Sequence, residues 1–232
     1  MGGGEGCQYM KAAAVPHTIE PRDVLIVDSS TVSHDLLIVG PSALNLCLSW
    51  HAGDRAPLVY AFVDEMRSLA RHGAAVFLLF EGLDTSGGAA PQEPTRERLR
   101  RDAAQREAIG VVESYGGDHV ALRRDAEATT FGANRVRAAV LGSVHGSELK
   151  QLLLAELLKE KQKPTSGLDN ILPLVSPRGT ENDHMAVALH RLLLADGVRS
   201  MLVFNDGDML VHGVPVLIAE KVRRFSRPRR AA

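Results

Sequence analysis

Four short apolar segments of this chain each lead into acidic residues. Segment 24–27 precedes Asp28, 76–80 precedes Glu81, 174–175 leads to Glu181 and Asp183, and 201–204 leads to Asp206 and Asp208. Short continuous apolar runs are typical of strands that are covered on both faces of a parallel sheet. Because the carboxyl ends of parallel strands meet at one edge, we expect the six carboxylates to gather there.

Helical patterns alternate with the apolar runs. Between residues 57 and 72 apolar side chains recur at helical spacing, and Gly73 follows where a helix would end. A strand, a helix and a second strand in this order form a crossover unit, which joins parallel strands of one sheet. The sequence therefore predicts an α/β fold: a three-layer α/β/α domain with a mainly parallel central sheet.

Further patterns complete the expected order of elements. We expect helices over 95–107, 134–141, 147–159 and 185–195, strands over 170–175, 200–205 and 214–218, and a turn at 29–31. Ser147 is the expected cap of its helix, and Gly197 is expected to close the last one. Pro173 cannot donate a ladder hydrogen bond, so its strand is expected near an edge of the sheet.

Length and composition favour one large domain. The chain has 232 residues, of which 45% are hydrophobic, enough to build a full core. We expect a flexible leader over 1–21, the α/β domain over 22–218 with a helical insertion at 85–165, and a basic tail over 219–232. Lys and Arg number 27 against 28 Asp and Glu, so no overall basic field indicates nucleic acid or a membrane surface.

Cysteine content and hydropathy indicate the cellular compartment in which the protein is expected. Two cysteines are too few for a disulfide framework and indicate a reducing, intracellular setting. No apolar run approaches the roughly 20 residues of a membrane helix, so we expect no membrane partner. The basic tail is a phosphate-binding arm, a localisation signal or a solvated segment. We favour a nuclear location, with an organelle as the alternative.

Each acidic motif also has a purely structural interpretation. Thr180 and Asp183 have the spacing of a capping box, in which Asp183 satisfies backbone donors at a helix start. Asp206 and Gly207 after a strand are typical of a turn. Taken singly, these readings are adequate. The joint occurrence of acids after four strands favours a cluster.

A cluster of six carboxylates would need cations. Like charges a few ångströms apart raise one another's pKa, so part of the cluster would protonate at neutral pH without a divalent ion. Oxygen ligands without His or Cys favour Mg²⁺ or Mn²⁺. Two such ions about 4 Å apart suit in-line attack of water on a phosphodiester. The sequence therefore predicts metal-dependent phosphodiester hydrolysis.

An arginine-rich segment follows the second acidic motif. Its arginines are Arg96, Arg98, Arg100, Arg101 and Arg106. A guanidinium grips a phosphate with paired hydrogen bonds, so these residues are candidates for binding nucleic acid. The alternative is a solvated helix held by Glu–Arg pairs. No phosphate-cradling glycine motif is present, which argues against a nucleotide cofactor.

The order of these motifs resembles the flap-endonuclease and XPG-like branch of the PIN-domain nucleases, and most of all its asteroid-type members. The resemblance covers roughly residues 22–218. It rests on Val24-Leu-Ile-Val-Asp28, Phe80-Glu81-Gly82, Leu174-Val-Ser-Pro177 with Glu181-Asn-Asp183, and Asp206-Gly-Asp208.

The resemblance implies a PIN-like domain whose acids bind metal. Its catalytic metal ligands would be Asp28, Glu81, Glu181, Asp183, Asp206 and Asp208. Segment 85–165 would form a helical arch over single-stranded or branched DNA, or over RNA. No helix-hairpin-helix module follows strand 214–218, so we expect no duplex-bound, flap-specific cutting.

Two departures from the family pattern, at Glu81 and in the missing helix-hairpin-helix module, leave a second function open. Glu81 stands where the family has Asp, and an extra methylene shifts the carboxylate by more than about an ångström, enough to disturb two-metal geometry. Asn182 also replaces a small residue of the family, a change that a helix start tolerates. The alternative to a nuclease is therefore a catalytically weak or inactive PIN-like scaffold that binds RNA or a protein assembly.

Overall fold

The structure is a computed structural model, and it describes residues 19–20, 22–72, 74–80, 96–144, 147–176, 182–204, 209 and 212–217. Most of the predicted leader and all of the basic tail lie outside these residues. The chain folds into two compact units. The sheet unit comprises Met1–Val32, Asp64–Glu81 and Leu158–Ala232, and the helical unit comprises Ser33–Val63 and Gly82–Leu157.

The elements alternate between strands and helices at both ends of the chain, with a run of helices in the middle. In chain order they are β1 (Val24–Asp28), α1 (Ser29–His34), a π-helical segment (Asp35–Val39), α2 (Ala43–His51), α3 (Ala56–Ala70), β2 (Ala75–Phe80), α4 (Arg96–Glu113), α5 (His119–Ala128), α6 (Thr130–Val144), α7 (Ser147–Lys161), β3 (Ile171–Val175), α8 (Asn182–Ala195), β4 (Ser200–Val203) and β5 (Val216–Leu217).

The described strands form one parallel sheet in the order β3-β2-β1-β4-β5. Central strand β1 pairs with β2 from Val24 opposite Ala75 and with β4 from Val24 opposite Ser200. All four residues 24–27 are buried, as expected for a strand with both faces covered. The predicted α/β fold, a parallel sheet flanked by helices as in a three-layer α/β/α domain, is confirmed.

Helix α8 covers one face of the sheet. Its Ala186 and Val187 pack in a buried cluster with residues of three strands and the loop after β4. Those residues are Ile26, Leu79, Leu202, Phe204 and Met209. The small side chain of Ala186 lets the helix lie close to the strands, so the start of α8 is held beside their carboxyl ends.

The end of α8 has the geometry that its glycine predicts. Gly197 has φ +72°, a left-handed conformation that glycine adopts at little energetic cost because it has no Cβ. Val198 N donates to Leu193 O at 2.8 Å and Gly197 N donates to Leu194 O at 3.0 Å. This pair of bonds is the Schellman motif, which satisfies the last carbonyls of a helix. The prediction that Gly197 closes the helix is confirmed.

Strand β3 lies at one edge of the described sheet, as Pro173 predicts. It pairs with β2 on one side, with Pro173 opposite Leu78. An edge strand tolerates proline because one side of its backbone has no ladder partner. The remaining predicted strands are present, with β4 ending at Val203 and β5 described at Val216–Leu217.

The helical unit is built around α6. This helix packs against α2, α4 and α5, and its buried residues include Val136, Ala139 and Val140. His51 Nε2 donates to Val136 O at 3.1 Å, which ties α2 to α6. Asp118 caps α5 by accepting from the backbone N–H of Val120 and Ala121.

The sequence prediction was wrong at the segment after β1. Residues 29–31 were expected to form a turn, but α1 begins directly at Ser29. The cause is Asp28, which caps this helix as well as ending the strand. The π-helical segment, α2 and α5 were not predicted, and α4 and α6 are longer than expected.

No single described helix is long and apolar enough to cross a membrane. One bent pair, Ser29–Val39 with Ala43–His51, meets the same test of length and composition.

The amino ends of three strands are joined through Asp23. Its carboxylate is fully buried and accepts from Arg199 Nε and, at 2.8 Å, from Arg199 Nη2. Its carbonyl accepts from Ala74 N at 2.8 Å, and Val24 N donates to Arg199 O at 3.0 Å. A two-pronged guanidinium contact of this kind fixes orientation as well as supplying charge. Asp23 therefore aligns the starts of β1, β2 and β4.

We expect Arg199→Ala to lower the melting temperature more than Arg199→Lys. Alanine leaves a buried carboxylate without its guanidinium, whereas lysine keeps the charge but cannot bind both oxygens. Arg22→Ala is the matched control, since Arg22 is exposed and contacts Glu20. Thermal melting followed by circular dichroism measures the effect. Equal melting temperatures for Arg199→Ala and Arg22→Ala would contradict this role for Asp23.

A second buried polar contact joins α8 to β4 and responds to pH. His190 is buried, and its Nδ1 lies 2.8 Å from Ser200 Oγ. Burial lowers the pKa of His190 below its usual value. The unfolded chain, with a His pKa of about 6.5, therefore takes up a proton at a higher pH than the folded chain does. By linkage, stability is lost as the pH falls below this value.

We expect the wild-type protein to lose more free energy of unfolding between pH 7.5 and 5.5 than His190→Gln does. Glutamine does not titrate in this range, so the difference between the two losses isolates His190. Urea unfolding at both pH values measures it. If the two proteins lose the same amount, His190 does not contribute to the pH dependence.

Candidate functional site

The strand order places a topological switch point at the carboxyl edge of the sheet. From β1 the chain continues to β2 and β3 on one side and to β4 and β5 on the other. In parallel sheets, ligands bind at such a point, where the strand order reverses. Asp28, the last residue of β1, and Phe204, which follows β4, both lie at this edge.

Asp28 is held by the first turn of α1. Its Oδ1 accepts from Ser30 N at 3.1 Å, and its Oδ2 accepts from Thr31 N at 3.0 Å. These are the bonds of an N-cap aspartate, which satisfies two of the donors that begin a helix. Thr31 Oγ1 adds a third bond to Oδ2 at 3.2 Å. The carboxylate is therefore fixed in orientation and only partly exposed.

Asn182, the first residue of α8, joins this carboxylate to the rest of the edge. Its Nδ2 donates to Asp28 Oδ1 at 2.7 Å and lies 3.3 Å from Leu79 O. Asn182 is only 2% exposed, so its amide acts in a site shielded from water. One side chain thus contacts the ends of β1 and β2 from the start of α8.

Ser176 completes the link to β3. Ser176 N donates to Phe80 O at 2.8 Å, which extends the pairing of β2 and β3 by one residue. Its Oγ donates to Asn182 Oδ1 at 2.5 Å and lies 3.3 Å from the sulfur of Met185. Ser176, Asn182 and Asp28 therefore form a continuous hydrogen-bonded relay across the carboxyl ends of three strands.

Two of the six predicted ligands lie within the described residues. They are Asp28 and Asp183, the latter half-buried in the first turn of α8, where a negative charge favours the helix dipole. Glu81, Glu181, Asp206 and Asp208 lie outside the described residues. Among described side chains, no three His, Cys, Asp or Glu residues converge as a metal site.

The chemistry of the relay fits a hard cation on one condition. An ionised carboxylate has about four acceptor positions, and Ser30 N, Thr31 N, Thr31 Oγ1 and Asn182 Nδ2 are the donors to Asp28 that the structure describes. Two donors are backbone N–H groups fixed by α1, and two are side chains that can rotate. A cation could reach an Asp28 oxygen when Asn182 Nδ2 or Thr31 Oγ1 turns away, with no change in the backbone.

The predicted phosphate-binding arginines all lie on α4. Arg100 and Arg106 are exposed. The side chains of Arg96, Arg98 and Arg101 lie outside what the structure describes. The described part of α4 is mostly exposed, with Ala108 buried, as expected for a helix with arginines on more than one face.

Asn182 and Ser176 were not among the site residues predicted from the sequence. Asn182 reads as a substitution at a helix start, and Ser176 as a strand-end residue before Pro177. The usable signal was the position of Asn182 between two acids, Glu181 and Asp183. A histidine pair was also missed: the rings of His184 and His212 meet edge to face, with centroids 6.3 Å apart.

We expect Asn182→Ala to lower the free energy of unfolding by about 1–3 kcal/mol. The truncation removes the partner of the buried Ser176 hydroxyl and a donor to Asp28, and buried polar groups without partners cost about this much. Asn134→Ala, at an exposed position of α6, is the control and should change stability little. Urea unfolding measures both. Equal stabilities would show that the relay does not stabilise the fold.

No protein-family model, curated protein or solved structure matches this chain.

Proposed function

We propose that this protein is a divalent-metal-dependent nuclease that hydrolyses phosphodiester bonds in single-stranded or branched nucleic acid by a two-metal mechanism. The observation that carries the proposal is the 2.7 Å bond from Asn182 Nδ2 to Asp28 Oδ1. It holds the start of α8, where Glu181 and Asp183 flank Asn182 in the sequence, to the carboxyl end of β1. Two of the four acidic motifs thereby share one edge of the sheet.

The described residues have distinct tasks in this proposal. Asp28 and Asp183 supply hard oxygen ligands for Mg²⁺ or Mn²⁺, and the N–H groups of Ser30 and Thr31 orient the Asp28 carboxylate. When bound, such ions lower the pKa of the attacking water and stabilise the leaving oxygen. The exposed Arg100 and Arg106 offer guanidinium groups to phosphates.

We expect the purified chain to cleave labelled single-stranded or branched substrates only when Mn²⁺ or Mg²⁺ is added. Asp28→Asn should lower the rate by at least about 100-fold, because it removes a ligand charge and disturbs the site geometry. Asparagine is also a good N-cap, so this variant keeps much of the support for α1. Gel analysis of the products measures cleavage.

Asp206→Ala provides a second inactive variant for the cleavage assay, and Asn134→Ala provides an active control. Circular dichroism confirms that each variant is folded. Metal-independent background cleavage that is the same for all variants would overturn the nuclease proposal.

The same relay favours a second candidate, a PIN-like scaffold that binds RNA or a protein assembly without catalysis. Asn182 donates to the Asp28 oxygen that a cation would approach, so the amide and the ion compete for one position. A small residue at position 182, which the resemblance implies for the family, would remove this competition. Asn182 is therefore the residue that separates the two functions most directly.

Thermal melting with and without Mg²⁺ distinguishes the candidates. If the site binds cations, Mg²⁺ should raise the melting temperature of the wild type, because a ligand that binds the folded state stabilises it. Asn182→Ala should melt lower without Mg²⁺ but gain a larger Mg²⁺ shift, since one competitor for Asp28 is gone. No Mg²⁺ shift in either protein would favour the scaffold.

A further inference from the structure

The helical unit contains a cavity of its own. It has a volume of about 160 Å³ and lies between the end of α4, helix α5 and the start of α6. Apolar side chains such as Val112, Leu122 and Val136 line one part of it. For comparison of volume, an enclosed, wholly apolar cavity of about 150 Å³ holds one benzene ring. The cavity size therefore suits one aromatic ring rather than a larger ligand.

The cavity depends on a close approach of α5 and α6. A Cβ atom at Gly132 would lie 2.3 Å from Asp125 O and 3.1 Å from Ala126 Cα. The clash involves backbone, so only glycine permits this spacing. Thr129 Oγ1 accepts from Gly132 N at 2.9 Å and fixes the entry into α6. The wall formed by α5 and α6 is therefore rigidly defined.

An aromatic ring lines the cavity and remains accessible. Phe131 is 64% exposed although Arg135 Cζ lies only 4.1 Å from its ring centroid. Because Arg135 covers one face of the ring, this exposure must come largely from the other face and the edge. An exposed aromatic face beside an arginine is the arrangement that proteins use to stack a base of single-stranded nucleic acid.

Polar groups on the cavity wall point to the kind of ring. Tyr115 donates its hydroxyl to Asp125 Oδ2 at 2.8 Å, and Arg124 Nε donates to Asp125 Oδ1 at 3.3 Å. These bonds hold Asp125 in place, and the Tyr115 bond lowers the pKa of Asp125 below its usual value. An ionised carboxylate accepts further hydrogen bonds. It can bind the exocyclic amino group that adenine, cytosine and guanine carry and thymine lacks.

Arg135, the cation beside the ring, is placed to bind the phosphate of the same nucleotide. Within the described part of the chain, no carboxylate forms an ion pair with Arg135. By contrast, Arg123 is paired with Glu127 and Arg124 with Asp125. Guanidinium groups bind phosphate oxygens with two parallel hydrogen bonds. Arg135 can therefore bind a phosphate while it stacks on Phe131.

We propose that this cavity binds one unpaired, amino-bearing nucleobase of a single strand, stacked on Phe131, with Asp125 accepting from its amino group and Arg135 contacting its phosphate. The proposal rests on the proposed function in that it names a substrate-binding position for the same nucleic acid. It concerns the helical unit alone and requires no metal ion.

Binding of fluorescein-labelled ten-residue oligonucleotides to the full chain in EDTA tests the proposal, with anisotropy as the readout. Oligo-dC should bind more tightly than oligo-dT, and an abasic strand should bind most weakly. Phe131→Ala should weaken oligo-dC binding by about 5- to 100-fold, the range measured for stacked bases. Phe131→Tyr, which keeps the ring, should restore binding. Asp125→Ala should remove the preference for dC over dT.

Val120→Ala is the matched control, because Val120 is an exposed apolar residue of α5 that does not line the cavity. It should bind as the wild type does. Equal binding of oligo-dC by Phe131→Ala and wild type would overturn the proposal, as would equal binding of abasic and dC strands. If free CMP competes as well as the strand does, the site takes a mononucleotide and the assignment to a strand is wrong.

The cleavage assay separates this proposal from the proposed function. Phe131-dependent binding without metal-dependent cleavage would leave the cavity proposal standing and overturn the nuclease. Cleavage that requires Asp28, together with binding that does not depend on Phe131, would support the nuclease and overturn the cavity proposal.

Discussion

The carboxyl edge of the sheet depends on one buried amide. Asn182 uses its nitrogen to contact the ends of β1 and β2, and its oxygen to accept from Ser176 after β3. A buried amide whose donor and acceptor are both engaged fixes the groups around it, because moving any of them leaves a polar atom without a partner. The position of α8 against the sheet, and of Asp183 in its first turn, follows from this constraint.

The two ends of β1 are fixed by different chemistry. At the amino end, a guanidinium binds both oxygens of Asp23, so charge and orientation are supplied together. At the carboxyl end, the four donors described at Asp28 are uncharged groups, which orient the carboxylate through the geometry of their hydrogen bonds. Replacing Arg199 would change charge at a buried site. If the Asn182 side chain turned away, the Asp28 carboxylate would lose one uncharged donor and could bind another ligand at that position.

Much of the sheet could be predicted from its sequence because continuous apolar runs have few alternatives. Residues 24–27 are buried on both faces, and the edge position of β3 follows from Pro173.

The prediction of a turn at 29–31 was wrong because an acid that ends a strand cannot be distinguished from an acid that caps a helix by sequence alone. The structure shows that Asp28 does both, since it accepts from the backbone N–H groups of Ser30 and Thr31. Asp118 caps α5 in the same way, and this helix was likewise not predicted. The position of Asn182 between two acids was a signal in the sequence, but its role could not be predicted, because its partners lie 6, 103 and 154 residues away.

Under the proposed function, the distinction between enzyme and scaffold reduces to a local exchange at Asp28. An ordinary neutral hydrogen bond contributes a net stability of about 1 kcal/mol, whereas a divalent ion beside carboxylates interacts with full charges that are only partly screened at a half-buried site. If further carboxylates converge on Asp28, the ion has the larger interaction and the amide gives way. If they do not, the amide is the better partner and Asn182 stays hydrogen-bonded to Asp28. In this proposal, the hydrogen bond from Asn182 determines how many carboxylates must lie at the carboxyl edge of the sheet before a cation can displace the amide from Asp28.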